Sequence, residues 1–346
     1  MERWRGTVFQ PVMAFFPADE KLFIWAPGAQ GGDMEPVNPS RTTIGFIGIG
    51  KMGTPMSRHL RRGDFTVLGY DTDPAALERV KPDGVQAAGS LAELAERSDV
   101  IITMLPSSDI VELVVLGEGG VAENMAAGKL LIDMSSSYPR RTAALAENLA
   151  SRGILMLGAP VSGGVIGAEA ATLAIMPGGA KELVDAAMPL FEILGGNIVH
   201  IDEAVESGHA MKCVNNFLSA TNLLSSIEAM AFGAKLGLDP NKVLDVVNSG
   251  SGRNAATIDK WPRFLLPRDF TIGFTVGLMH KDLMMATDLA RELGSTMFIL
   301  NHVREVYSLA CSRYGADGDQ GLLLEMLEEW VGQTVGQPPG TDPKHP

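Results

Sequence analysis

The chain has few cysteines, few aromatic residues and no surplus of positive charge, and each shortage removes a class of protein. Two cysteines in 346 residues, Cys213 and Cys311, are too few for a disulfide framework and fit free buried thiols in a reducing, cytoplasmic compartment. Lysine and arginine number 28 against 41 acidic residues, a net charge of -13 that leaves no basic face for tracking phosphates. A nucleic-acid partner is therefore not expected. No apolar run approaches the roughly 18 residues of a membrane helix, so no membrane partner is expected either. Charged residues make up only 20% against 46% hydrophobic, which excludes a disordered chain and describes a packed globular one. The length suffices for two domains with separate cores.

Residues 1–40 lack sustained hydrophobic periodicity and carry Pro11, Pro17, Pro27, Pro36 and Pro39. Arg3 and Arg5 are followed by no long apolar core, and Asp19 and Glu20 break the acid-poor pattern of a transit peptide. This stretch is expected to be a disordered or loosely docked extension, with Met34 a candidate start of translation. Residues 334–346 are again rich in proline and glycine and are expected to fray.

Between these ends the chain divides into two patterns. From 41 to 203, short apolar strands alternate with helical stretches, the mark of an α/β domain with a doubly wound parallel sheet. The first strand, Thr43 to Ile47, runs into Gly48-Ile49-Gly50-Lys51-Met52-Gly53. In such a turn the first glycine permits the tight bend, the second admits a pyrophosphate and the third lets the helix pack on the strand. The helix that follows would point its N-terminal amides at the phosphates. A second strand, Thr66 to Tyr70, ends in Asp71, where an acidic residue grips a ribose hydroxyl. A carboxylate there accepts from the 2′-hydroxyl of NAD and repels the 2′-phosphate of NADP, and Thr72-Asp73-Pro74 offers no arginine in compensation. NAD is the expected cofactor and Gly48, Ile49, Gly50, Met52, Gly53 and Asp71 its expected seat. Further strands end at Leu105-Pro106, Ser135-Ser136 and Ser162-Gly163-Gly164, the edge where ligands collect in such sheets.

From 204 to 333 the pattern is helical throughout. A run from about Ala204 to Leu236, stopped by Gly237-Leu238-Asp239-Pro240, is long enough to bridge two domains. Lys212 and Asn216 lie four residues apart and project together from it. Other helices are expected over 241–248, 278–293, 296–308 and 320–331. No metal-ligand spacing is present.

These residues match a known family. Gly48 to Gly53 with Pro55-Met56, Asp133-Met134-Ser135-Ser136 with Pro139, Ala159-Pro160-Val161-Ser162-Gly163-Gly164, Lys212 with Asn215-Asn216, and Lys281-Asp282-Leu283 occur in the order found in the β-hydroxyacid dehydrogenases. The chain from Thr43 to about Val331 resembles that family, which includes 3-hydroxyisobutyrate dehydrogenase, tartronate semialdehyde reductase and 6-phosphogluconate dehydrogenase. The resemblance implies a Rossmann-type domain, a long interdomain helix and an all-helical substrate and dimerisation domain. An apolar-rich helical half beside a long bridging helix offers more hydrophobic surface than one protomer can cover, so a homodimer or homotetramer is expected. It implies NAD-linked oxidation of a short 3-hydroxyacid, with Lys212 as acid/base and Asn216 orienting the substrate beside it. By the same resemblance Ser135, Ser162, Gly163 and Gly164 cradle the substrate carboxylate. Leu105, Pro106 and Ser136 contact the cofactor, and Lys281 closes over cofactor and substrate. Burial with Lys281 nearby should lower the Lys212 pKa toward ~7–8.

Two departures are present. Gly158 stands where the family often has an acidic residue, which would widen or neutralise that edge of the site. His209 stands where many hydroxyisobutyrate-type members have glutamine, while Asn215 and the short C-terminal half speak against phosphogluconate as substrate. The competing readings are another family reductase, such as one for tartronate semialdehyde, and a non-catalytic cofactor-sensing or scaffold protein.

Overall fold

The computed structural model describes residues 34–336; most of the N-terminal extension and nearly all of the tail lie outside the described residues. Thr43–Ile47 (β1), Gly53–Arg62 (α1), Thr66–Tyr70 (β2), Pro74–Val80 (α2), Gln86–Ala87 (β3) and Leu91–Arg97 (α3) come first. Val100–Thr103 (β4), Ser108–Leu116 (α4), Val121–Asn124 (α5), Leu130–Asp133 (β5), Pro139–Ala150 (α6) and Leu155–Gly158 (β6) follow. The six strands pair in parallel in the order β3-β2-β1-β4-β5-β6. This is the expected doubly wound sheet, and its order reverses between β1 and β4, which opens a crevice at their carboxyl ends.

Strands buried on both faces read as continuous apolar runs, and the side chains of β1, β4 and β5 divide between the faces by the period of two. Ile44, Phe46, Val100, Ile102, Leu130 and Ile132 join one core with Met56 and Leu60 of α1. Ile47, Ile101 and Leu131 join the other, with Leu94 of α3, Val111 of α4 and Leu145 of α6. Helix starts carry their own signals. Asp73 caps α2 ahead of Pro74, and the Ser90 hydroxyl accepts from the Glu93 amide at the start of α3.

A second, three-stranded sheet was not foreseen. Val161–Ser162 (β7), Leu173–Ile175 (β8) and Gly195–Ile198 (β9) form it, joined through Gly164–Glu169 (α7) and Lys181–Leu194 (α8), with β7 antiparallel and β9 parallel to the central β8. Strands of two to four residues, one beginning Gly195-Gly196, carry too little alternation to read from sequence.

The remaining elements are helical. Ser207–Lys235 (α9) is 29 residues long, roughly 43 Å at 1.5 Å per residue. Pro240–Ser249 (α10), a π-helix over Ala256–Leu265, Val276–Glu292 (α11), Phe298–Tyr314 (α12) and Leu323–Val331 (α13) complete the chain. The first turns of α9 pack on the sheet domain. A Cβ at Gly208 would lie 2.4 Å from the Gly158 carbonyl and 2.2 Å from that of Met176, so only glycine allows this approach. The second half of α9, from Ala220 to Ala234, runs through a separate core with Trp261, Val276, Leu283, Tyr307 and Leu324. Among the described residues no helix is long and apolar enough to cross a membrane, and neither cysteine is paired.

Both expected loose ends are held at their inner margins. Val37 is buried in the sheet-domain core and its amide donates to the Ala186 carbonyl at 2.9 Å. Val335 is buried in the helical core, its amide donating to Glu328 at 2.8 Å. Val37, with partly buried Met34 packed on the same core, and Val335 make these contacts, which composition does not reveal.

Candidate active site

The glycine turn lies at the carboxyl end of β1. Gly48 has φ +97, and a Cβ there would meet the Met104 carbonyl at 2.3 Å; one at Gly53 would meet the Gly48 carbonyl at 1.9 Å. Gly50 differs, because a Cβ on it would meet nothing within 4 Å. The turn is thus closed where it packs and open where a pyrophosphate would approach. No side chain caps the N-terminus of α1, and its first turn holds no acidic residue, leaving its amides and positive dipole end to an anion. Asp71 accepts from the Ile49 amide at 2.8 Å through one oxygen and from the Asp73 amide at 2.8 Å through the other. It remains half-buried, with lone pairs left for ribose hydroxyls. The turn, the bare helix end and the acidic strand tip fit a nicotinamide dinucleotide.

Across the crevice α9 presents Lys212, which is buried, with Nζ donating to the Val161 carbonyl at 2.7 Å. Burial, with the Lys281 charge added, lowers its pKa to about 8, against the opposing pull of Asp282. This agrees with the expected direction and cause. Asn216, one turn on, donates through Nδ2 to Asp282 at 2.5 Å. Asn215 donates to Ser162 Oγ at 3.2 Å and to Asn216 Oδ1 at 3.1 Å. Lys281 Nζ lies 3.0 Å from Asp282 Oδ1 and donates to the Ser136 carbonyl at 2.8 Å. One buried carboxylate therefore gathers Asn216 and Lys281 and sets the field at Lys212. Sequence reasoning gave Asp282 no role, although Lys281-Asp282-Leu283 marked its place.

Most of the expected site residues converge here, with two changes. Ser135 does not line the crevice: it is buried, with its hydroxyl accepting from the Leu105 amide at 2.9 Å. It ties the turn after β4 to the turn after β5, and half-buried Ser136 is the neighbour nearer the surface. Adjacent serines after a strand point to opposite sides, and the sequence could not say which one faces inward. Gly158 does not widen the site either. It is buried, and a Cβ there would meet the Val205 carbonyl at 2.4 Å and the His209 ring at 3.1 Å. His209 occupies that space. Its Nδ1 lies 2.9 Å from Thr142 Oγ1 and its Nε2 3.1 Å from the Ser135 carbonyl, with Asp133 Oδ2 3.6 Å away. Burial lowers its pKa, against the opposing pull of Asp133. Through these contacts it pins the start of α9, three residues before Lys212, to the end of β5. Gly163 and Gly164 both have positive φ and turn the backbone at the crevice mouth. Among the described residues no group of side chains could hold a metal ion.

A Rossmann-type sheet with an open glycine turn, facing a buried lysine on the helix that leads into an all-helical half, defines a nicotinamide-dinucleotide oxidoreductase. Residues 43–202 match the family model for the NAD binding domain of 6-phosphogluconate dehydrogenase. Residues 207–327 match that for the NAD-binding region of NADP-dependent 3-hydroxyisobutyrate dehydrogenase. The chain is 39% identical over 292 residues to 2-(hydroxymethyl)glutarate dehydrogenase of Eubacterium barkeri, covering 84% of this chain and 97% of that one. It is 35% identical over 296 residues to mitochondrial 3-hydroxyisobutyrate dehydrogenase of Mus musculus, covering 84% and 88%. The solved structure of Mycobacterium tuberculosis 3-hydroxyisobutyrate dehydrogenase with L-serine superimposes with TM-score 0.75 at 34% identity, covering 83% and 99%. The chain belongs to the β-hydroxyacid dehydrogenases, enzymes with NAD(P) as cofactor.

Proposed function

We propose that this enzyme interconverts a short 3-hydroxyacid of the 3-hydroxyisobutyrate type and its semialdehyde or ketone, using NAD, with Lys212 as the acid/base group. The observation that carries this reading is the buried ammonium of Lys212, with a pKa of about 8, beside Asn216 and across the crevice from the glycine turn. The relatives named for 3-hydroxyisobutyrate and 2-(hydroxymethyl)glutarate share a primary alcohol next to a carbon bearing a carboxylate, which supports the substrate class.

When bound, the nicotinamide ring supplies the two-electron acceptor. In the oxidative direction the neutral amine of Lys212 takes the proton of the substrate hydroxyl, and in the reductive direction the ammonium returns it to the developing alkoxide. Asn216, oriented by Asp282, holds the hydroxyl against Nζ. Ser162 and the Gly163-Gly164 backbone would receive the carboxylate, while Leu105, Pro106 and Ser136 would contact the cofactor. Lys281 bridges the two halves across this site. The competing scaffold reading requires no such depressed lysine and is not favoured.

A panel of 3-hydroxyacids and their semialdehydes, assayed with both cofactors, tests the reading. Turnover of 3-hydroxyisobutyrate or a close homologue supports it, and absence of turnover with tight NADH binding favours the scaffold.

Asp71 supports NAD over NADP. Wild type is expected to show higher kcat/KM with NAD, and Asp71→Ser combined with Thr72→Arg to narrow or reverse the difference. Steady-state kinetics showing native preference for NADP would refute the assignment.

We also place the enzyme in the cytoplasm, where free Cys213 and Cys311 stay reduced, as a homodimer or homotetramer. Phe232 on α9 and Leu236 just past its end are 64% and 60% exposed and Phe298 on α12 is 82% exposed, apolar surface that a second copy would cover. Light scattering should return a multiple of 36.8 kDa; the single-chain mass at micromolar concentration would contradict it.

A further inference from the structure

Lys260 is a cation that the chemistry above does not use. It sits in the π-helix over Ala256–Leu265, an element that is rare and often placed at functional sites. Its Nζ lies 3.5 Å from Ser219 Oγ, and the next residue, buried Trp261, donates from its indole to Ser226 Oγ at 2.9 Å. Ser219 and Ser226 are two turns apart on α9, so two successive π-helix side chains dock along one stripe of that helix. This contact fixes where Lys260 points. On the same stripe Ser219 follows Asn216 by three residues and Lys212 by seven, about 4.5 Å beyond Asn216 along the axis. Lys260 is half-buried, and among the described residues no carboxylate forms an ion pair with it.

We infer that Lys260, with Ser219 beside it, is a second anion-recognition point that selects 3-hydroxyacids whose C2 substituent ends in another carboxylate. The inference rests on the 3-hydroxyacid reading and narrows it to dicarboxylic substrates. A substrate with its alcohol at Lys212 and its C1 carboxylate at Ser162 and the glycine backbone can extend a C2 substituent along α9, past Asn216 toward Ser219. One or two methylenes past Asn216 would bring a terminal carboxylate to the Lys260 ammonium. There the Ser219 hydroxyl can donate to the same oxygen. An ammonium held out of water is costly unless paired, and a charge-assisted hydrogen bond to an anion repays that cost. Burial lowers the Lys260 pKa to about 8, Asp259 and Asp319 opposing the shift without pairing; a bound carboxylate would restore the charge. A methyl substituent, as in 3-hydroxyisobutyrate, would leave this ammonium with the Ser219 hydroxyl and no anion.

The test compares 3-hydroxyisobutyrate with 2-(hydroxymethyl)succinate and 2-(hydroxymethyl)glutarate, in the wild-type enzyme with NAD and in Lys260→Met, Lys260→Gln and Lys260→Arg. Wild type should show the higher kcat/KM for at least one diacid. Met and Gln should lower that value by at least roughly tenfold, mainly through KM, as expected for a lost charge-assisted contact. Both should leave 3-hydroxyisobutyrate kinetics within about twofold of wild type, and Arg should retain most of the diacid preference. Equal losses for monoacid and diacids would assign Lys260 to structure and overturn the inference. So would a wild-type preference for the monoacid, or variants that match wild type. If the monoacid is turned over normally in these cases, the 3-hydroxyacid reading survives. If no substrate is turned over, that reading fails and takes this one with it.

Discussion

Lys212→Ala is expected to lower kcat at least ~10²-fold, the size of a lost, well-positioned proton-transfer group. The NADH Kd should stay within about twofold, since the glycine turn and Asp71 lie on the other side of the crevice and share no hydrogen bond with Nζ. Lys212→Arg should not rescue the rate, because a guanidinium stays protonated and cannot accept the hydroxyl proton. Stopped-flow turnover combined with NADH fluorescence titration separates the two effects. Near-native turnover in Lys212→Ala would place the chemistry elsewhere, and Lys281, which contacts the same Asp282, would be the next residue to test.

The second large effect concerns the glycines, where the structure separates two roles that look alike in sequence. Gly53→Ala would put a methyl 1.9 Å from the Gly48 carbonyl, and backbone cannot yield as a side-chain tip can. Overpacking of this kind costs about 1–3 kcal/mol or more, so both thermal stability and NADH affinity should fall. Gly50→Ala meets no protein atom within 4 Å, so the fold should hold. The same methyl would stand where the pyrophosphate approaches, and NADH affinity alone should drop by roughly tenfold or more. Calorimetry and NADH titration on the two variants provide the readout. A Gly50→Ala enzyme that binds NADH as wild type does would remove the turn from the cofactor site.

What could be read from the sequence was what is local. The glycine turn followed Thr43 to Ile47 within a few residues, Asp71 closed the next strand, and Lys212 and Asn216 were one helical turn apart. Each depends on spacing, and the structure brings all of them to one crevice. The strand and helix alternation likewise gave the parallel sheet, and the unbroken run before Gly237 gave the bridging helix.

What stayed hidden depends on contacts between distant segments. Ser135 looked like an exposed cradle residue, but the Leu105 amide turns it inward across the sheet. Gly158 looked like added room, but His209, some fifty residues later, fills it. Asp282 matched a family motif, yet its role emerges only where α11 lays it against Asn216 and Lys281. The π-helix has no periodic signature that separates it from an ordinary helix or a loop, and Pro262 within it argues against regular structure. Without that element Lys260 would have remained one charged residue in a polar stretch.

The central claim, that Lys212 moves the proton, is tested most directly by the pH dependence of the reaction in both directions. Its folded-state pKa is about 8, lowered by burial from the ordinary lysine value. The neutral amine is the base, so kcat/KM for hydroxyacid oxidation, which reports the free enzyme, should rise with pH through an inflection near 8 and level off above it. The ammonium is the acid, so kcat/KM for the reverse reduction should be level below that pH and fall above it. Both inflections should be absent from the residual activity of Lys212→Ala. An inflection near pH 8 that persists unchanged in that variant would contradict the account.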